Sequence, residues 1–112
     1  EMLINHTTIR IDPAKRSEAI ELIDDLLEYS RTEDGTVTYR AMTDIGDSSV
    51  VRFFEQYEDR AAAETHTESE QYRRFVESLP EIVEGNIETI QIHADEIERV
   101  EFTPRDAIEA LD

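Results

Sequence analysis

Residues 2–11 carry Ile4, Thr7, Thr8, Ile9 and Ile11, a density of β-branched side chains that predicts a first strand. Asp12 followed by Pro13 then supplies a helix N-cap and a proline at the first helical position. From Ala14 to about Arg31 the spacing turns helical. Ala19, Leu22, Ile23, Leu26 and Leu27 form one stripe, and Glu21, Asp24, Asp25 and Glu28 lie largely off it. Glu33-Asp34-Gly35 is a turn signal that ends this helix. Thr36 to Asp44 alternates, with Val37, Tyr39 and Ala41 on one side and Thr38, Arg40 and Met42 on the other. After the turn Ile45-Gly46-Asp47-Ser48, residues Ser49 to Tyr57 are apolar on both faces: Val51, Phe53 and Tyr57 on one, Val50 and Phe54 on the other. Burial on both faces predicts a central strand, joined to the preceding one as a hairpin.

A second helical region starts near Asp59, passes through Ala61-Ala62-Ala63 and pauses near Thr67. Ser69 caps a continuation that carries Tyr72, Phe75, Val76 and Leu79 up to Pro80. Asn86 to Ala94 alternates again, with Ile90 and Ile92 on one face and Ile87, Thr89, Gln91 and His93 on the other. Ile97, Val100 and Phe102 prolong that pattern, giving a domain over residues 1–102 and a tail, 103–112, that reads as a short helix or a frayed end. The order β-α-β-β-α-β is that of a ferredoxin-like α+β fold, an antiparallel sheet with both helices on one face. The apolar residues of the other face then need a cover, and a second copy related by a two-fold axis is the expected one.

Composition narrows the classes. A chain of 112 residues is one domain, and without cysteine it holds no disulfide, thiolate metal site or cysteine nucleophile. No run approaches the roughly 20 apolar residues of a membrane span, and no basic region precedes an apolar block at the start, so a cytoplasmic protein is expected. Asp and Glu number 28 against 11 basic residues, a formal charge of −17, and Lys15 is the single lysine. Charge at this density opposes compaction at ordinary ionic strength, whereas at ~1 M salt the screening length falls to about 3 Å. An acidic, lysine-poor surface is expected of a protein from a salt-accumulating halophile. The regular apolar periodicity argues against disorder, and the acidity disfavours nucleic acid, whose phosphates require basic contacts.

Three segments carry a resemblance. Glu33-Asp34-Gly35-Thr36-Val37-Thr38-Tyr39 is similar to an acidic-Gly turn entering a strand that holds a tyrosine. Phe53-Phe54-Glu55-Gln56-Tyr57-Glu58-Asp59 is similar to a Glu-x-aromatic-x-Asp segment, with Tyr57 where tryptophan is more usual. Ala62-Ala63-Glu64-Thr65-His66-Thr67-Glu68-Ser69 fits an Ala-x-x-x-His-x-x-Ser stretch, followed by Tyr72 and Phe75. Over about residues 2–102 the chain resembles the antibiotic biosynthesis monooxygenase family. The resemblance implies a dimeric α+β barrel with a pocket between sheet and helices. It also implies oxygenation without flavin, haem or metal, in which an electron-rich phenolate or hydroquinone anion activates oxygen. The haem-degrading branch is disfavoured, since its catalytic tryptophan would fall near His66 and its haem-ligating histidine near Phe75 or Val76, where this chain has neither residue.

His66 is the foremost catalytic candidate. It follows Ala62 by four and Ala63 by three, so a small-residue face presents it toward the sheet, and histidine exchanges protons near neutral pH. Its structural counterpart is a histidine that merely bonds across the helix–sheet junction. Asn5 and Thr7 share one face of the first strand and are candidates for orienting a substrate, against the plainer reading of an edge or solvent position. Tyr39, Tyr57 and Tyr72 are candidates for stacking on an aromatic ligand, against a core role with the hydroxyl at the rim. Arg52 and Glu55 lie on opposite faces by alternation, and cross-strand ion pairs are expected of them. His6, His66 and His93 show no ligand spacing, so no metal site is expected. The expected function is a monooxygenase acting on a small phenolic, quinol or polycyclic aromatic compound as a homodimer. The alternatives are a non-catalytic metabolite-binding dimer of a stress response, or an isomerase or lyase acting on a small carbonyl compound.

Overall fold

The computed structural model describes all residues 1–112. Strand β1 (Met2–Arg10) leads through a 3-10 turn (Pro13–Lys15) into helix α1 (Arg16–Ser30). The hairpin β2 (Thr36–Thr43) and β3 (Val50–Tyr57) follows, then helices α2 (Arg60–Thr67) and α3 (Glu70–Ile82), strand β4 (Glu88–Ala94) and a short helix α4 (Pro104–Glu109). The four strands form one antiparallel sheet in the order β2-β3-β1-β4, the ferredoxin-like arrangement.

Helix starts follow the caps written in the sequence. Asp12, Asp59 and Ser69 each accept a hydrogen bond from the backbone N–H of Ala14, Ala62 and Tyr72, respectively. Helix α3 runs two residues past Pro80, to Ile82, because burial of Ile82 and Phe75 on the same stripe holds the last turn although proline lacks its N–H. The odd-numbered positions Leu3, Ile9, Val51, Phe53 and Tyr57, with Tyr39 from β2, face the helices and pack against Ala19, Ile23 and Leu26 of α1 and Phe75 and Ile82 of α3. The opposite face carries Ile4 and Phe54 on the central strands and Met42, Ile90 and Ile92 on the edges, the last three about half exposed. No helix covers that face. Beyond Ala94 no strand forms: acidic Asp95, Glu96 and Glu98 suit strands poorly, and no neighbouring strand is present to pair with them.

One close approach fixes the relation of α2 to the sheet. Gly35 has φ +83°, and a Cβ there would lie 2.7 Å from the Cβ of Ala62. Its carbonyl also accepts the Glu58 N–H at 2.8 Å, so the turn before β2 is drawn onto the start of α2. Gly85 has φ +72° but open space around it. Gly85→Ala is therefore expected to cost about 1–2 kcal/mol, the left-handed penalty alone. Gly35→Ala adds a steric clash and is expected to cost about 1–3 kcal/mol more. Urea unfolding of the two variants in one buffer checks this, and equal losses would show that the contact with Ala62 relaxes freely.

Candidate functional site

The turn–helix contact brings an acid to the histidine. His66 lies on the buried stripe of α2 with Ala63, one turn beyond Ala62, and is 1% exposed. Its Nδ1 lies 2.7 Å from Oε1 of Glu33, whose side chain is 6% exposed, in the turn just before Gly35. A carboxylate on Nδ1 favours the tautomer with the proton on Nδ1 and leaves Nε2 as an acceptor. Nε2 is buried without a partner, as is the other Glu33 oxygen, Oε2. Tyr39, Tyr72 and Tyr57 surround the imidazole at centroid distances of 5.0, 5.1 and 5.7 Å.

Beside this group lies a cleft of about 210 Å3 between the sheet and α3, walled mainly by apolar side chains. Thr7, Thr89, Tyr39, Glu55 and Tyr72 provide its polar groups, and exposed Val76 and Ile87 stand at its mouth. The cleft is open to solvent. Thr7 Oγ1 lies 2.9 Å from Thr89 Oγ1 across β1 and β4, so one hydroxyl proton of the pair is free for a ligand. A broader depression of about 380 Å3 at the other end of the sheet is lined by exposed Arg10, Glu84 and Glu88 and gathers no buried ionisable group.

Of the residues singled out by sequence, Thr7, Tyr39 and Tyr72 line the cleft directly. His66 and Tyr57 stand one side-chain layer behind it. Asn5 faces the helices directly opposite Glu55 in the β1–β3 register, and its side-chain oxygen is buried without a partner. Arg52 makes the expected ion pair, at 2.6 Å to Asp44. Glu55 makes none. It sits in the cleft wall and accepts a 2.6 Å hydrogen bond from the Tyr57 hydroxyl, because its odd position places it on the helix face, where no arginine projects. Glu55 and Glu33 are thus the two residues whose importance the residue pattern did not convey. The acid in each of the two motif segments was the available signal.

Burial pushes the Glu55 carboxyl above the ordinary glutamate value of 4.5, and the Tyr57 hydrogen bond and the nearby His66 oppose the shift in part. Burial, with the adjacent Glu55 charge, likewise raises the phenols of Tyr39 and Tyr57, and more mildly that of Tyr72. Burial thus keeps the three tyrosines neutral beside a carboxyl whose charged form it disfavours.

Residues 2–78 match the profile of a family described as antibiotic biosynthesis monooxygenase. The chain belongs to that family. A Bacillus subtilis relative named "Putative monooxygenase YcnE" is 24% identical over 95 residues, spanning 85% of this chain and 100% of its own. Among solved structures, PA3566 from Pseudomonas aeruginosa is 27% identical with a TM-score of 0.77, over 83% of this chain and 93% of its own. Rv0793 from Mycobacterium tuberculosis shares the fold at 19% identity, with a TM-score of 0.82 over 88% of this chain and 100% of its own. In this family member the three motif segments are those that deliver Glu33, Glu55 and His66 to one place.

Proposed function

We propose that this antibiotic biosynthesis monooxygenase family member is a cofactor-independent monooxygenase, acting as a homodimer on a small phenol or hydroquinone. The observation that carries the reading is a half-buried carboxyl, Glu55, in the wall of an apolar, solvent-open cleft, backed by a histidine whose Nδ1 is held by a second acid. A phenolic substrate enters between the sheet and α3 and loses its proton to Glu55, which an acceptor in an apolar wall performs better than a solvated carboxylate. The resulting phenolate supplies electrons to oxygen. In an anthrone-like substrate a CH2 becomes C=O, with one oxygen atom retained and the other leaving as water. Tyr72, neutral and in the cleft wall, steadies the developing oxyanion, and Tyr39, whose hydroxyl is taken up by Ser30, packs against the ring. His66 acts through Glu55 rather than on the substrate, as a positioning residue that stabilises the charged carboxylate. Asn5, opposite Glu55, and Thr7 orient the bound ring.

The cleft also bounds the substrate. At about 210 Å3 it lies below the ~300–1,000 Å3 of sites that hold drug-sized ligands. One- and two-ring compounds fit within it, and the third ring of an anthrone-like substrate extends past its open mouth. The apolar sheet face supports the homodimer, and the charge of −17 supports a protein adapted to high salt.

The test is oxygen consumption in molar potassium chloride with a panel of hydroquinones and anthrone-like phenols, using isotopically labelled oxygen gas. Substrate-dependent uptake, with label in the product, is the expected result. Binding of a panel member without uptake would favour the metabolite-binding reading. Turnover without label would favour an isomerase or lyase using the same carboxyl.

A further inference from the structure

We propose that the depression at the free edge of β2, walled by Arg31, Arg40 and Arg99, binds a small polyanion that carries two or more phosphate groups. The site is separate from the cleft that holds Glu55, and it stands whether or not the oxygenase reading does.

The depression measures about 340 Å3, and Thr36 and Thr38 line it together with the three arginines. No acid stands in its wall. In a chain with 28 acidic residues among 112 that is an exception, and the other surface depressions follow the expected pattern. Glu84 and Glu88 line one, Glu68 and Glu77 another, Glu1 and Asp59 a third. Arginines elsewhere also find partners: Arg10, Arg52, Arg73 and Arg74 each pair with a carboxylate. Arg31, Arg40 and Arg99 pair with none, although acids outnumber bases more than twofold.

Three separate parts of the chain deliver these side chains. Arg31 stands just past α1, Arg40 lies in β2 and Arg99 comes from the segment after β4. Arg31 Nε donates to the Tyr39 carbonyl at 3.2 Å, which lays its guanidinium along the strand and leaves its terminal nitrogens free. Like charges around one hollow repel, and no carboxylate of this chain offsets that repulsion. A bound anion does. Guanidinium forks match the oxygens of phosphate in pairs, and β2, an edge strand, adds backbone N–H groups without a strand partner. The hydroxyl of Thr36 likewise has no partner within the chain.

Charge selects the class of ligand. A monoanion gains little at the surface of a molecule of charge −17, whereas a polyphosphate can engage all three arginines at once. A long polyanion such as nucleic acid would overrun the depression onto acidic surroundings. Tyr39 is the one aromatic residue in the wall and its side chain is buried, so the phosphates are recognised and no base is stacked.

Isothermal titration calorimetry of the full chain with pyrophosphate, in potassium chloride and without divalent cations, tests this. One equivalent per chain is expected, with affinity falling as salt is raised. Arg40→Gln and Arg99→Gln should each weaken binding at least about tenfold through loss of a charge-assisted pair. Arg105→Gln removes the same charge outside the wall and should leave the affinity unchanged. Circular dichroism confirms that each variant is folded. ADP is expected to bind about as tightly as pyrophosphate, and inorganic phosphate more weakly. No saturable binding to the folded parent would overturn the site, and equal weakening by Arg105→Gln would reduce it to general charge. ADP far tighter than pyrophosphate, or phosphate its equal, would overturn recognition of a bare polyphosphate.

Discussion

Glu55→Gln is expected to abolish oxygen uptake, by at least about a hundredfold, while leaving the protein at neutral pH as stable as the parent or more so. The rate loss follows from the role: a positioned general base contributes ~100–10,000-fold, and an amide cannot take the proton. The stability gain follows from burial. The carboxyl is held above its ordinary 4.5 chiefly because its charged form is poorly solvated in the cleft wall. The native state thus holds this proton more tightly than the unfolded chain does. Its contribution to stability is fully present below pH 4.5 and is lost as pH rises through the folded value. At neutral pH the ionised carboxylate is a burden that glutamine does not carry, and the amide oxygen still accepts the Tyr57 hydrogen bond. Rate and stability should also share one pH coordinate, with uptake rising through the range where Glu55 ionises. Unfolding curves at several pH values, set beside the rate profile of the parent, check both. A Glu55→Gln variant clearly less stable at neutral pH would show that the carboxylate is satisfied there and would remove the argument that it is strained for catalysis.

The fold was legible because its determinants are local and periodic. The helical stripe through Ala19, Ile23 and Leu26, the caps at Asp12 and Ser69, the helix start near Asp59, and the two-faced apolar pattern of β3 all recur in the folded chain. Strand alternation also separated Ile90 and Ile92 from Thr89 and Gln91 correctly. The site was only half legible. His66, Thr7, Tyr39 and Tyr72 stood out as residue types, but which of two glutamates meets the cleft and which meets the histidine depends on long-range approach. Glu33 reaches His66 because Gly35 lets a turn touch Ala62, a contact 27 positions apart with no periodic signature. Glu55 looked like an ion-pair partner because acids in strands usually are. Its burial is visible only once Asn5 and Thr7, rather than arginines, are seen to occupy the neighbouring strand. The end of β4 misled for a simpler reason: Ile97, Val100 and Phe102 continue an apolar rhythm without any strand to pair with.

His66→Ala should be the most destabilising single change at the site, by about 3–5 kcal/mol, and His66→Asn should recover a good part of that loss. Alanine leaves the Glu33 carboxyl in place, nearly buried and stripped of its one hydrogen bond, and opens a cavity among three tyrosines. Asparagine places an N–H close to the position of Nδ1, so the bond to Glu33 Oε1 can reform while the cavity remains. The decisive comparison is a double-mutant cycle with Glu33→Gln, read by urea unfolding at fixed salt. Coupling of about 1–3 kcal/mol between positions 33 and 66 is expected of two buried groups that satisfy each other. Coupling near zero would mean that each group finds water when the other is removed, and the pair would lose its claim to set the imidazole. Activity separates position from stability. His66→Asn keeps the Glu33 contact but not the imidazole beside Glu55, which opposes the rise of that carboxyl, so its uptake should remain measurable with the acid limb of the pH profile displaced upward. A profile unmoved by His66→Asn would leave the histidine as a brace for the turn before β2, with the chemistry resting on Glu55 and the tyrosines alone.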